Sequence, residues 1–248
     1  MALTRNPRLA PIVTAAALLA LHPADASAEE TRATTSTAGA ASAYSLDRQH
    51  TLVELGIGAL TLPSVKLCLE TSCTTTDLTL LLSLKHFFKF NRTWGIGAGV
   101  SWGFRPTKED ASITTPDGRT IGREHTRNYF MLAGAARYYP IATDGFDFWT
   151  GLTAGVIVAS DRYAPTQRGE SILGPRSTGV VTEGLMGGFG LGADWAFRNN
   201  WTVGLWTTQM LWKFPTTKDC AQTRECATVS GTLFSFETGV NVTYRVRL

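Results

Sequence analysis

The chain has 248 residues, of which 17% are charged, 44% hydrophobic and 10% aromatic, with 24 Gly, 7 Trp and 12 Phe. Ordinary soluble domains carry about 25% charged residues, so aromatic surface and glycine stand here where charge usually stands. A net charge of +3, with the bases scattered among acids, sets aside a nucleic-acid partner.

In chain order, Arg5 and Arg8 precede an apolar run over 12–21, and Ala26, Ser27 and Ala28 supply small residues at the spacing of a cleavage site. This pattern predicts a signal peptide over 1–28, since so short a run cannot cross about 30 Å of hydrocarbon as a helix. Residues 29–50 are rich in Thr, Ser and Ala and nearly free of large apolar groups. They predict a flexible periplasmic tail leading into one domain, 51–248.

From residue 51 onward apolar side chains recur at every second position, the period of half-buried strands. Eight strands are predicted at 51–62, 77–90, 93–104, 125–139, 146–158, 180–197, 201–214 and 229–248. Each reaches the ~9–11 residues that a tilted strand needs to cross a bilayer. In TWGIGAGVSWGF, 93–104, the bulky face is Trp94, Ile96, Ala98, Val100, Trp102 and Phe104; the other is Thr93, Gly95, Gly97, Gly99, Ser101 and Gly103. An uncharged face of glycine fits the crowded interior of a small barrel, which leaves the bulky face for lipid. VNVTYRVRL, 240–248, repeats the pattern with Val240, Val242, Tyr244, Val246 and Leu248 on one face. Short turns after strands 2, 4 and 6 alternate with long polar segments at 63–76, 105–124, 159–179 and 215–228. Together these features predict an all-β fold, an eight-stranded antiparallel up-and-down transmembrane β-barrel whose last strand closes on the first.

Parity places Glu54, Lys85, Lys89, Arg137, Asp147, Asp194, Glu237 and Arg245 inside. An eight-stranded barrel is just wide enough for side chains to fill, so these groups are expected to pair into a buried ionic network; a polar conduit is the alternative. Glu183 faces out beyond the membrane span, His86 falls on the lipid face, and strand 7 satisfies either parity. Trp94, Tyr138, Phe148, Trp195, Phe197 and Tyr244 gather near the short turns, and Trp102 and Phe104 near the long segments, as two interfacial girdles require.

Cys68 and Cys73 lie in the first long segment, Cys220 and Cys226 in the fourth. They lack a His partner and the spacing of a zinc site, and in an exported chain they read as local disulfides, with a link between the two segments also open. No metal, cofactor or nucleotide signature appears: the Gly-x-Gly-x-Gly runs are followed by no helix. His125, with Ser101, Ser112, Glu109 or Glu124 near it in sequence, is the one candidate for catalysis, and nothing in the spacing ties these groups into a nucleophile and base.

The Gly-x-Gly-x-Gly strands, the hairpin GLGADWAFRNNWTVGL at 190–205 and the terminal strand together resemble the small outer-membrane β-barrel family, the OmpA/OmpX type, over the whole of 51–248. The resemblance implies a bacterial outer membrane protein, short turns periplasmic and long loops extracellular, surrounded by outer-membrane lipids and handled by the barrel-assembly machinery. That machinery reads a terminal strand that usually ends in an aromatic residue, where this chain has Leu248. The implied role is a monomeric structural or loop-display protein, without cofactor, whose extracellular ligand would meet the four long segments. A narrow channel for small or apolar solutes is the second reading and a lipid-modifying enzyme the third.

Overall fold

The computed structural model describes residues 49–63, 67–69, 72–74, 77–104, 109–114, 118–166, 177–198, 200–217, 219–221 and 225–247. The expected signal peptide, nearly all of the tail, and Leu248 lie outside these residues. The alternating segments form β1 (His50–Leu62), β4 (Asp77–Lys89), β5 (Trp94–Phe104), β7 (Thr120–Ala142), β8 (Phe146–Pro165), β9 (Thr178–Arg198), β10 (Trp201–Lys213) and β11 (Thr232–Arg247). A small hairpin, β2 (Leu67–Leu69) and β3 (Ser72–Thr74), and one extra strand, β6 (Glu109–Thr114), lie between them.

Every barrel strand is antiparallel to its neighbours, in the order β5-β4-β1-β11-β10-β9-β8-β7, and a β5–β7 pairing joins the two ends. The ring is closed. The β1–β11 seam runs from His50 opposite Arg247 to Thr61 opposite Phe236. In hydrocarbon an unpaired backbone group costs several kcal/mol, so a continuous seam is what allows this sheet to stand in lipid.

Several strand bounds differ from the sequence expectation. β7 starts at Thr120 rather than 125, β8 continues to Pro165 rather than 158, and β9 begins at Thr178. Much of 105–124 and 159–179 is therefore strand, not loop: β6 pairs with the start of β7, and the upper ends of β7, β8 and β9 pair beyond the barrel wall. Polar side chains occupy both faces there, which hides the period. β11 starts at Thr232 rather than 229 because Gly231 takes a φ of 71°, a conformation that suits glycine.

The outer face is apolar, with Leu55, Leu84, Ile96, Leu132, Leu152, Leu185, Leu205 and Val240 all exposed. Near the short turns, aromatic rings touch across neighbouring strands: Trp94 and Tyr138 at 5.0 Å, Phe146 and Trp195 at 5.5 Å, Trp201 and Tyr244 at 4.8 Å. Trp102 and Phe104, 5.9 Å apart, and Phe130 mark the other level. Above it Glu183, opposite Val158, faces out and ends the apolar belt. His86 faces out near the lower rings, and β10 alternates regularly, with Trp206, Met210 and Trp212 inside and Val203, Leu205 and Leu211 outside. Inward glycines make room for these interior groups: a Cβ at Gly97 would meet the Phe87 ring at 2.5 Å, and one at Gly192 the Trp149 ring at 2.5 Å.

Candidate functional site

The barrel interior is built in three tiers. At the short-turn end Asp147 receives Lys89 Nζ at 3.3 Å and Arg245 Nη2 at 3.0 Å. One level up, Arg137 makes a two-pronged contact with Glu54, at 2.5 and 2.9 Å, and its guanidinium lies 3.8 Å from both the Phe87 and the Trp149 ring centres. Asp194 accepts hydrogen bonds from Trp149 Nε1 at 3.0 Å and Asn241 Nδ2 at 3.1 Å. Lys85 sits 4.4 Å from the Trp206 ring centre. Glu237 is buried nearby, its Oε1 without a hydrogen-bond partner among the described residues. Lys85, Glu237 and Arg137 line a cavity of about 50 Å³. The eight charges assigned to the interior by parity are thus two ion-paired groups plus Asp194, Lys85 and Glu237 with other surroundings.

The middle tier is largely apolar, with the Thr79 and Ser235 hydroxyls buried within it. Leu60, Leu81, Tyr129, Met131, Ile157, Met186, Met210, Trp212 and Leu233 belong to one buried cluster, contributed by strands all around the ring.

The third tier fills the mouth, and most of it was missed from the sequence. Arg123, His125, Arg127 and Tyr129 point inward from β7 at every second position. Asp161 on β8 gathers His125 Nε2 at 2.7 Å and Arg127 Nε at 3.0 Å, and the His125 ring stacks on Tyr163 at 4.7 Å. Residues 225–229, which precede β11, then fold into this opening. Cys220 and Cys226 form a disulfide, while Ala227 and Val229 are buried. The Thr228 amide donates to Asp161 Oδ2 at 2.9 Å, the Thr228 hydroxyl to Oδ1 at 2.7 Å, and the Tyr163 hydroxyl to the Cys226 carbonyl at 2.9 Å. Glu225 reaches Arg123 Nε at 2.7 Å and also accepts from the Thr178 hydroxyl. Burial alone would raise the Asp161 carboxyl, yet the hydrogen bond from His125, the Arg127 charge and the two Thr228 contacts outweigh it and hold the group at about 2. Asp161 is outside the membrane-spanning part of β8, three residues above Val158, where the apolar belt ends.

Among the described contacts, His125 meets Asp161 and Tyr163. In the backbone register Ser101 lies opposite Met131, Glu109 opposite His125 and Ser112 opposite Gly122, and Glu124 is the next residue on the other face of β7. Cys68 and Cys73 face each other in the β2–β3 register; their side chains lie outside the described residues. The signal that could have exposed the mouth was the inward period Ile121, Arg123, His125, Arg127, which continues the strand through a polar segment.

A closed antiparallel ring with an apolar exterior, two aromatic levels and a filled interior is suited to a bilayer. The chain is an eight-stranded antiparallel up-and-down β-barrel of transmembrane type. No protein-family model and no curated protein matches the chain. Among solved structures, it is similar to Ail of Yersinia pestis, crystallised with the heparin analogue sucrose octasulfate, at 12% identity over 80% of this chain and 99% of that one, with a TM-score of 0.48. Neisserial surface protein A matches at 10% identity over 79% of this chain and 96% of that one, with a TM-score of 0.48. OprG of Pseudomonas aeruginosa matches at 14% identity over 82% and 98%, with a TM-score of 0.42. The ring closure and the apolar belt, not these distant likenesses, carry the assignment of the barrel.

Proposed function

We propose that the barrel is a filled scaffold of the bacterial outer membrane, its short turns periplasmic and its long segments extracellular, serving as a monomeric loop-display interaction protein of the cell envelope. The observation that carries this reading is the double closure of the lumen. A largely apolar tier crosses the interior, and above it residues 225–229 are docked into the mouth. Aqueous conduction would need the polar lumen of a porin. On this reading the segments 63–76, 105–124, 159–179 and 215–228 carry the contacts, and the outward residues Val240, Val242, Tyr244 and Val246, with Leu248, form the strand read at assembly.

The test is planar-bilayer conductance of the refolded barrel, together with protease accessibility of the long segments on intact cells. No unitary conductance and cleavage from outside are expected. A steady ion conductance would favour a channel, and cleavage only from the periplasmic side would reverse the orientation.

A further inference from the structure

The lumen holds two charges that its ion pairs do not absorb. Glu237 on β11 is 3% exposed, and its Oε1 has no hydrogen-bond partner among the described residues. Lys85 on β4 lies 4.4 Å from the Trp206 ring centre and, like Glu237, makes no ion pair with a described residue. Both line the cavity of about 50 Å³. Glycines clear the space that each wall needs. A Cβ at Gly99, opposite Lys85, would lie 2.6 Å from Lys85 Cγ. A Cβ at Gly190 would lie 3.0 Å from the hydroxyl of Thr208, the β10 neighbour of Glu237. We propose that this chamber is a binding site for a small zwitterion of glycine size, its carboxylate against Lys85 and its ammonium against Glu237 and the Thr208 hydroxyl.

Charge and volume select this class of occupant. A buried carboxylate or ammonium without a partner is costly. A simple cation would satisfy Glu237 but be repelled by Lys85 and Arg137 on the same cavity wall, and a simple anion would be drawn to Lys85 but repelled by Glu237. An occupant carrying both charges satisfies both groups and adds no net charge to the interior. At roughly 10–15 Å³ for each water-sized group, a chamber of about 50 Å³ suits glycine rather than a branched or aromatic amino acid. Met131, Met186, Met210, Ala133 and Ala135 line the rest of the chamber and offer its methylene an apolar surface. The Arg137–Glu54 contact lies on one side of the chamber and the largely apolar tier on the other, so the occupant is enclosed as the barrel folds. The site is independent of what the long segments display.

The experiment refolds the full-length barrel into detergent micelles with glycine, sodium acetate or methylammonium chloride, and reads the urea midpoint at equilibrium in each. A ligand held only by the folded state stabilises it by mass action. Glycine should therefore raise the wild-type midpoint with the logarithm of its concentration, and neither single ion should. Ala135→Leu fills the chamber from β7 and keeps both charges. Its midpoint should not respond beyond the general effect of a small osmolyte. Glu237→Gln should need about tenfold more glycine for the same shift, the equivalent of one lost charge-assisted contact. Acetate or methylammonium acting as strongly as glycine overturns the proposal. A glycine response shared equally by wild type and Ala135→Leu also overturns it and leaves the chamber to water only. A second measurement needs no variant: in wild type, isotope-labelled glycine should show an Overhauser contact between its methylene and the Ala135 methyl. Absence of that contact at concentrations that shift the midpoint overturns the site.

Discussion

Removing the Glu54 carboxylate gives the sharpest test of how the lumen is held. Glu54 is on β1 and Arg137 on β7, strands that are not neighbours in the ring, so this two-pronged contact ties separate parts of the wall across the interior. Arg137 is 3% exposed, and truncating its partner leaves a buried cation without its hydrogen-bonded carboxylate. Breaking a buried pair in this way costs about 3–5 kcal/mol. The Phe87 and Trp149 rings do not offset the loss, because they already flank the guanidinium in the intact barrel. Glu54→Ala should therefore destabilise by about 3–5 kcal/mol, whereas Glu54→Ala/Arg137→Met, which removes both charges, should return to within about 1–2 kcal/mol of wild type. The assay is urea unfolding in micelles, read from the folded fraction on unboiled gels. A Glu54→Ala cost below about 1 kcal/mol, the scale of an exposed ion pair, or a double variant as weak as the single one, would refute a buried tie.

On the lipid face, Val100→Arg should cost about 2–4 kcal/mol, while the same change at Thr114, exposed at the end of β6, should be nearly silent by the same gel assay. Gly97→Val should lose about 1–3 kcal/mol or more by overpacking, because its Cβ would lie 2.5 Å from the Phe87 ring; Gly134→Ala, whose Cβ would find nothing closer than 3.8 Å, is the tolerated control in urea titrations. Deleting 240–248 unpairs β1 from His50 to Ile57 and β10 from Trp201 to Leu205, and the truncated chain should be missing from the folded fraction of membrane preparations. The Asp161 carboxyl is held at about 2 against an ordinary 3.8, so its contribution is present above pH 3.8 and is lost as pH falls through 2. That contribution is about 2 kcal/mol at 1.36 per unit, and acid titration of the urea midpoint should show a loss smaller by about that amount in Asp161→Asn than in wild type.

The sequence made the membrane part legible because lipid imposes contrast. In 93–104 one face must be bulky and apolar, and the other small enough for a narrow lumen, so the period of two stands out. Above the bilayer both faces of a strand meet water or polar partners. The contrast then vanishes, and β6 and the upper ends of β7, β8 and β9 read as loops. β10 failed to declare its parity for the opposite reason. Trp206, Met210 and Trp212 inside are as apolar as Val203, Leu205 and Leu211 outside, and hydrophobicity does not distinguish an aromatic lumen from lipid. Interior charges could be placed by parity, but their partners could not: Arg137 meets Glu54 at a separation of 83 residues, and Arg123 meets Glu225 at 102. No local rule carries such distances.

The order of the tiers decides what the interior charges do. A cavity of about 50 Å³ beside Lys85, Arg137 and Glu237 has room for a few waters, each needing roughly 10–15 Å³ on this measure. Taken alone, that cavity and the charged groups below it would resemble the start of a hydrated path. Beyond it the described inward groups are largely apolar, Leu60, Leu81, Met131, Ile157, Met186 and Met210 among them, with the Thr79 and Ser235 hydroxyls buried at the same level. The effective penalty for burying an ion without partners is several kcal/mol, and each 1.4 kcal/mol lowers a crossing rate about tenfold. The lower charges therefore act on the wall, tying strands to one another, and the mouth charges act on the docked segment. What separates these two polar systems is a largely apolar tier that both would have to breach before the barrel could conduct.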